Sequence, residues 1–296
     1  MNLREYLASR RKMVDEALDA MLPAEEAEPA VLHRAMRYSI FAGGKRLRPI
    51  LSVAAAEAVG GSGESVLPVA VAAESVHTYS LIHDDLPAMD DDDLRRGKPT
   101  VHKAFGEAVA ILAGDALLTF AFEVLSSPHV MRTTRPERVG AAIGEIAHAA
   151  GSRGLIAGQI LDVSGEGKPI DESSVGAIVQ GKTAALITAS LTAAALFVGA
   201  GPLETGALRR YGASLGCAFQ IKDDLLDLEG DPLTLGKAVG KDAGRGKATY
   251  PRLLGAEKAK EKMQGLVDAA LDEIRLFGER AMPLAMIAKY VGERIS

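Results

Sequence analysis

The chain has 296 residues, 48% of them hydrophobic, with 31 glycines and 13 prolines, a composition that supports a sizeable core and argues against disorder. A formal net charge of −5 gives no electrostatic basis for binding nucleic acid, so the basic residues must act locally. The single Cys217 excludes an internal disulfide and suits a reducing cytoplasm, and Met1 to Lys12 lacks the apolar core of a signal peptide.

Taken in order, the apolar spacing is helical nearly throughout. Leu3, Leu7, Met13, Leu18 and Leu22 fit one amphipathic helix, and Pro23 and Pro29 punctuate the link to a second near Ala30 to Phe41. Gly60 to Gly63 predicts a turn, and Ser126 to Pro136, Ser164 to Pro169 and Gly199 to Pro202 predict loops. No stretch alternates with period two, and neither a linker nor a repeat is found, so residues 1–296 read as one helical domain. The Ala and Gly residues of Gly140 to Gly158 suit close helix approach. The uncharged run Ala184 to Ala200 is shorter than the roughly 20 residues that span a bilayer, and reads as a buried central helix rather than a membrane span.

Chemistry concentrates in a few places. Gly43-Gly44-Lys45-Arg46-Leu47-Arg48 frees the backbone and places three cations over four residues, either around a diphosphate or as a basic helix end. An apolar helical segment, Val76 to Ile82, then runs into His83 to Thr100. Six carboxylates fall within Asp84 to Asp93, and Arg95, Arg96 and Lys98 follow at once. Pro87 ends the helix, so a bent backbone can bring Asp84 and Asp90 together, with Asp85 and Asp91 to Asp93 behind them or exposed. A second acidic motif, Asp223-Asp224-Leu225-Leu226-Asp227, ends another apolar segment, and its Asp223 and Asp227 share a helical face. Two such clusters, each at a helix mouth, suit hard divalent cations bridging to one polyanion.

These motifs, Asp84 to Asp90 with Leu94 to Gly97 behind it and Asp223 to Asp227, resemble the first and second aspartate-rich motifs of the trans-prenyltransferases, in the form of the bacterial farnesyl diphosphate synthases. The likeness runs from about Gly43 to Pro251. It implies an all-α isoprenoid-synthase bundle around a deep central cavity, about three Mg²⁺ ions, with Mn²⁺ as an alternative, and a homodimer. By the resemblance, Asp84, Asp85, Asp90, Asp223 and Asp227 hold the metal. Gly44, Lys45, Arg48, His77 and Arg96 take isopentenyl diphosphate, and Arg95, Lys182, Lys237 and Lys247 the allylic diphosphate. Lys182, Thr183 and Gln220 form the catalytic group, Lys182 neutralising the allylic diphosphate while Thr183 and Gln220 face the reacting carbon.

Several of these positions carry a second reading. His77, like His83 and His102, suits a structural role; Lys182 can snorkel to water; Gln159 and Asp162 either support the metals through water or pair with one another. Gly236 to Lys247 is either a solvated loop or a lid that orders on a diphosphate, with Lys241 and Arg245 as further cations. Tyr79 and Ser80 lie five and four residues before Asp84, about 6 to 7.5 Å deeper along the helix. There Tyr79 is either a core aromatic or the floor that stops the product at fifteen carbons.

The expected reaction is Mg²⁺-dependent head-to-tail condensation of isopentenyl diphosphate with dimethylallyl and geranyl diphosphate to (2E,6E)-farnesyl diphosphate. Ten- and twenty-carbon products are alternatives. A non-catalytic partner subunit is expected to lose motif residues, and none is lost; a terpene cyclase is disfavoured by the intact second motif and the Gly44 to Arg48 site. The ending Gly292 to Ser296 lacks a basic tail, leaving Arg294 alone to serve as one.

Overall fold

The computed structural model describes residues 2–169, 171–229 and 247–293. Among these the architecture is helical, in keeping with the periodicity. Helix α1 (Leu3–Met21) is capped by the Asn2 side chain and lays Val14 and Leu18 into the core. It is followed by α2 (Ala30–Ile40), α3 (Leu47–Ala58) and α4 (Leu67–Asp84). Next come α5 (Val101–Phe105), α6 (Glu107–Leu125), α7 (Pro128–Thr133), α8 (Pro136–Ala150), α9 (Leu155–Gly165) and α10 (Glu172–Val179). A π-helical turn (Gln180–Ala184) leads into α11 (Ala185–Val198) and α12 (Pro202–Glu229). The chain closes through α13 (Tyr250–Leu254), α14 (Ala256–Glu273), a 3₁₀ segment (Arg275–Ala281) and α15 (Met282–Glu293).

The interior is built on α4 and α11. Helix α4 packs on α3 and α6, and α11 packs on α3, α4, α8 and α12. These helices are apolar almost all round, which fits elements with no solvent face. Ala54, Ala55 and Ala56 on α3, Ala70, Ala72 and Ala73 on α4, and Ala193, Ala194 and Ala195 on α11 are fully buried. Small side chains let the axes approach, and where α12 crosses the π-helical turn even a methyl is too much: a Cβ at Gly216 would stand 2.5 Å from Ala184 Cα. Leu186, Leu191, Leu117 and Ile146 fill the remaining space, each contributing about 1.5–3 kcal/mol by burial.

The stretch Glu172–Val198, which contains α11, and Glu107–Thr133, which contains α6, are both apolar and long enough for a bilayer; the first is 72% buried among other helices and the second 44%. Burial on that scale makes α11 a core element, as its composition predicted.

Three expectations need correction. Ser126 to Pro136 is not all loop: Ser127 accepts from Val130 N–H and starts α7, with Pro128 at its first turn. Gly140 and Gly144 face open space, and close approach occurs further on, at Gly154 and Gly158. A short hairpin, β1 (Leu94–Arg95) with β2 (Lys98–Pro99), interrupts the helical pattern, pairing Arg95 with Lys98 across a two-residue turn. Both turn residues, Arg96 (φ 55°) and Gly97 (φ 77°), are left-handed, as a type I′ turn requires. Two-residue strands are too short to give an alternation signal.

Candidate active site

The ends of α4 and α12, the start of α3, the hairpin and the π-turn enclose a cavity of about 830 Å³. Its lining includes Asp84, Asp90, Asp223 and Asp227, and equally Lys45, Arg48, His77 and Arg96. One hollow thus holds the carboxylates and the cations that the sequence placed far apart.

The acidic wall arises where two helices stop. Asp85 caps α4, and Pro87 prevents continuation. The chain then curls back, with Asp90 N–H donating to Asp84 O at 2.8 Å and Asp91 N–H to Leu86 O at 3.1 Å. Asp90 therefore stands beside Asp84. Burial pushes the Asp84 carboxyl up to about 6, with Asp90 adding to the rise against the opposing Lys182. Lys247 Nζ sits 3.3 Å from Asp90 Oδ1. From the opposite side α12 brings Asp223 and Asp227, with Asp224 held by Gln220 Nε2 at 2.8 Å.

Asp85 is placed differently from Asp84. Its carboxylate accepts from Arg95 Nε at 2.8 and 2.9 Å, it is 3% exposed, and it does not line the cavity. Its contact is with the guanidinium that does line it.

The basic residues gather at the start of α3, where the backbone is left-handed. Gly44 has φ 127°, and a Cβ there would lie 2.5 Å from Arg96 Nη1; the Arg96 guanidinium lies over this glycine and donates to Gly43 O. Arg46, also left-handed at φ 51°, starts α3 and turns inward. It is bonded to Asp15 at 2.7 Å, Glu74 at 2.8 Å and Ile40 O at 2.7 Å, all with little or no solvent at Arg46 and Glu74. Of the three cations expected to surround a diphosphate, Arg46 is thus an anchor, leaving Lys45 and Arg48. Burial lowers Arg48 to about 10, aided by the neighbouring Arg96 charge and opposed by Glu74 and Asp223, and its Nε is buried with no hydrogen-bond partner. His77 is held well below its ordinary value by burial and then by Arg48, Arg96, Arg95 and Arg46, so it faces the cavity as a neutral imidazole.

The π-turn supplies the third group. Its wider winding turns Lys182 and Thr183 toward the cavity, a distortion frequent at functional sites and invisible in apolar spacing. Lys182 Nζ pairs with Asp162 at 2.7 Å, and Thr183 Oγ1 donates to Gln220 Oε1 at 2.6 Å. The turn is seated directly on α9: a Cβ at Gly158 would collide with the backbone N of Lys182. Asp162 therefore partners Lys182 rather than Gln159, a cavity-lining residue whose Oε1 is buried without a hydrogen-bond partner.

Ser80 lines the cavity, while Tyr79 stands behind it, 5% exposed, edge-on to His83 with ring centroids 5.7 Å apart. Lys237, Lys241, Arg245 and Arg294 lie outside the described residues.

The donors present fit hard cations. Asp84, Asp90, Asp223, Asp227 and Gln159 all line the cavity and offer oxygen, Asp84 is raised by burial, and the Gln159 carbonyl lacks a protein donor.

The family model for polyprenyl synthetase matches residues 29–275. A farnesyl diphosphate synthase of Geobacillus stearothermophilus is 45% identical over 294 residues, covering 99% of this chain and 98% of the relative. A heterodimeric geranylgeranyl pyrophosphate synthase large subunit of Arabidopsis thaliana is 46% identical over 295 residues, 98% of this chain and 78% of the relative. In three dimensions the crystal structure of an FPP/GFPP synthase of Zymomonas mobilis superposes with a TM-score of 0.88 at 40% identity, covering 98% of this chain and 99% of that one. With the cavity, its two charged walls and the family match together, the chain belongs to the polyprenyl synthetase family, the metal-dependent trans-prenyltransferases.

Proposed function

We propose that the protein condenses isopentenyl diphosphate with dimethylallyl and then geranyl diphosphate, releasing (2E,6E)-farnesyl diphosphate. The observation that supports this reading is the single cavity lined both by Asp84, Asp90, Asp223 and Asp227 and by Lys45, Arg48 and Arg96. Two diphosphates must be held at once, one to be lost and one to be kept, and these are two chemically different anion sites.

On the acidic wall, Asp84, Asp90, Asp223 and Asp227 would hold Mg²⁺, which when bound supplies positive charge against the diphosphate that leaves. Arg95, Lys182, Lys237 and Lys247 add to that charge, and Asp85 orients Arg95. On the basic wall, Lys45, Arg48 and Arg96 grip isopentenyl diphosphate, with the Gly44 backbone giving room and neutral His77 donating a hydrogen bond. The Thr183 and Gln220 oxygens face the carbon that becomes cationic, where a dipole stabilises charge without capturing it. The double bond of isopentenyl diphosphate attacks that carbon, and the departing pyrophosphate takes the final proton. Apolar Leu81, Leu155 and Phe219 limit water at the cation.

The bulk of Tyr79, buried on α4 next to the cavity-lining Ser80, supports fifteen carbons. A twenty-carbon product is favoured by one observation: Tyr79 is not itself among the lining residues. We further propose one domain, a cytoplasmic location on the single buried Cys217, and a homodimer through α6, where Ile111 and Leu112 are exposed. The test is incubation of purified protein with Mg²⁺, isopentenyl diphosphate and dimethylallyl diphosphate, with products resolved by length. A fifteen-carbon product supports the whole reading, a twenty-carbon product replaces the farnesyl part, and no condensation by folded protein overturns the catalytic role.

A further inference from the structure

Along Asp90 to Asp93 the side chains divide. Asp90 and Asp92 line the diphosphate cavity, whereas Asp91 and Asp93 do not. On the other side of the same backbone Asp91 and Asp93 meet His102 of α5, and one ligand atom from each lies within 4.8 Å of the others. The aspartates are exposed; His102 is 6% exposed.

The hydrogen bonds around His102 assign its proton. Thr100 Oγ1 donates its one proton to Asp92 O at 2.8 Å. Its contact with His102 Nδ1 at 3.1 Å must then be an N–H donated by the ring, with the hydroxyl accepting. In that neutral tautomer Nε2 carries the lone pair, and Nε2 is buried with no hydrogen-bond partner. A buried acceptor left open costs about 1–3 kcal/mol unless something completes it. An imidazole oriented by a backbone-anchored hydroxyl, with one nitrogen open and two carboxylates within 4.8 Å of the ring's ligand atom, resembles a metal-ligating histidine with its outer partner.

We propose that Asp91, Asp93 and His102 form a second cation site, separate from the diphosphate cavity, that takes a divalent transition ion, Zn²⁺ fitting best. The imidazole sets the preference: Mg²⁺ takes oxygen ligands and suits the cavity, whereas Zn²⁺ accepts nitrogen and carboxylate together. Ligand bonds of about 2.0–2.2 Å draw the three atoms closer than they now stand, a contraction that the two exposed aspartates accommodate by side-chain rotation. Lys103 Nζ, 2.8 Å from Asp93 Oδ1 and itself exposed, is the counter-charge such an ion displaces. A bound ion ties the acidic turn to α5 across the base of the Arg95 and Arg96 hairpin, and so fixes the backbone from which Asp90 and Asp92 reach the cavity.

The experiment is equilibrium dialysis of the full chain against Zn²⁺ in a large excess of Mg²⁺, with bound zinc counted by elemental analysis, and X-ray absorption of the loaded protein. About one Zn²⁺ per chain is expected, with one imidazole in its shell. His102→Gln and Asp91→Asn should each weaken binding by about tenfold or more, while Asp223→Asn, in the cavity, leaves it unchanged. If His102→Gln does not fold, the exposed Asp91→Asn carries the test alone. Absence of bound zinc, zinc retained in the Asp91 variant, or zinc lost in the Asp223 variant overturns the proposal.

Discussion

The two walls of the cavity are made in opposite ways. The carboxylates sit at helix C-termini, Asp84 in the last turn of α4 and Asp227 near the end of α12, where the peptide dipoles already point their negative ends. The cations sit at a helix N-terminus, Arg46 starting α3 and Arg48 in its first turn, where the dipole is positive. Each wall thus reverses the ordinary preference for opposite charge at a helix end. In the folded chain Asp84 is raised to about 6 and Arg48 lowered to about 10, with burial the largest cause in both. A divalent cation beside Asp84 and a diphosphate beside Arg48 would each favour the charged form.

The largest test of that contrast removes an acidic charge. Asp84→Asn and Asp223→Asn are each expected to cut kcat by about 10³-fold, losing several kcal/mol of charge stabilisation, with thermal stability unchanged or improved. A chelator should give the same loss in the native chain. Steady-state kinetics beside a melting curve separates the two effects. The basic wall behaves differently because its anchor is structural. Glu74→Ala leaves Arg46 buried without its partner and should cost about 3–5 kcal/mol, a drop in Tm visible by calorimetry, together with a raised KM for isopentenyl diphosphate.

At the junction of the walls, Gly158→Ala drives a methyl into the Lys182 backbone and should destabilise by about 1–3 kcal/mol while lowering kcat. Thr183→Val leaves Gln220 Oε1 without its donor and should cost about 1–3 kcal/mol, read in kcat more than in KM. The smallest effect is at Tyr79. Its hydroxyl is buried without a hydrogen-bond partner, so Tyr79→Phe should be neutral or slightly stabilising, about 0–1 kcal/mol, with product length unchanged. Tyr79→Ala should lengthen the product; an unaltered chain length would remove Tyr79 as the floor.

Much of this was legible before folding. Helical spacing from Leu3 onward, Pro87 after the first acidic run, and Asp223 and Asp227 four apart are local signals, because helix period and proline geometry act within a few residues. Other features left no such trace. The hairpin is too short for period two, and the π-turn needs one added residue that no composition reveals. Asp85 and Asp84 are adjacent and chemically identical, yet one lines the cavity and the other holds Arg95. Arg46 and Arg48 differ likewise, because the left-handed backbone at Arg46 sends its guanidinium to Asp15 and Glu74, 31 and 28 residues away in sequence.

The sequence by itself determined which residues carry charge, that they fall at the ends of apolar helices, and that the chain folds as α-helix, since those depend on side-chain chemistry and short-range periodicity. Only the tertiary structure decided which carboxylates face the cavity and which cation is an anchor, that Asp162 belongs to Lys182, and that His102 meets Asp91 and Asp93. Those pairings join segments that periodicity treats as independent, and burial, which sets the cost of leaving a charge or lone pair open, exists only once the helices have packed.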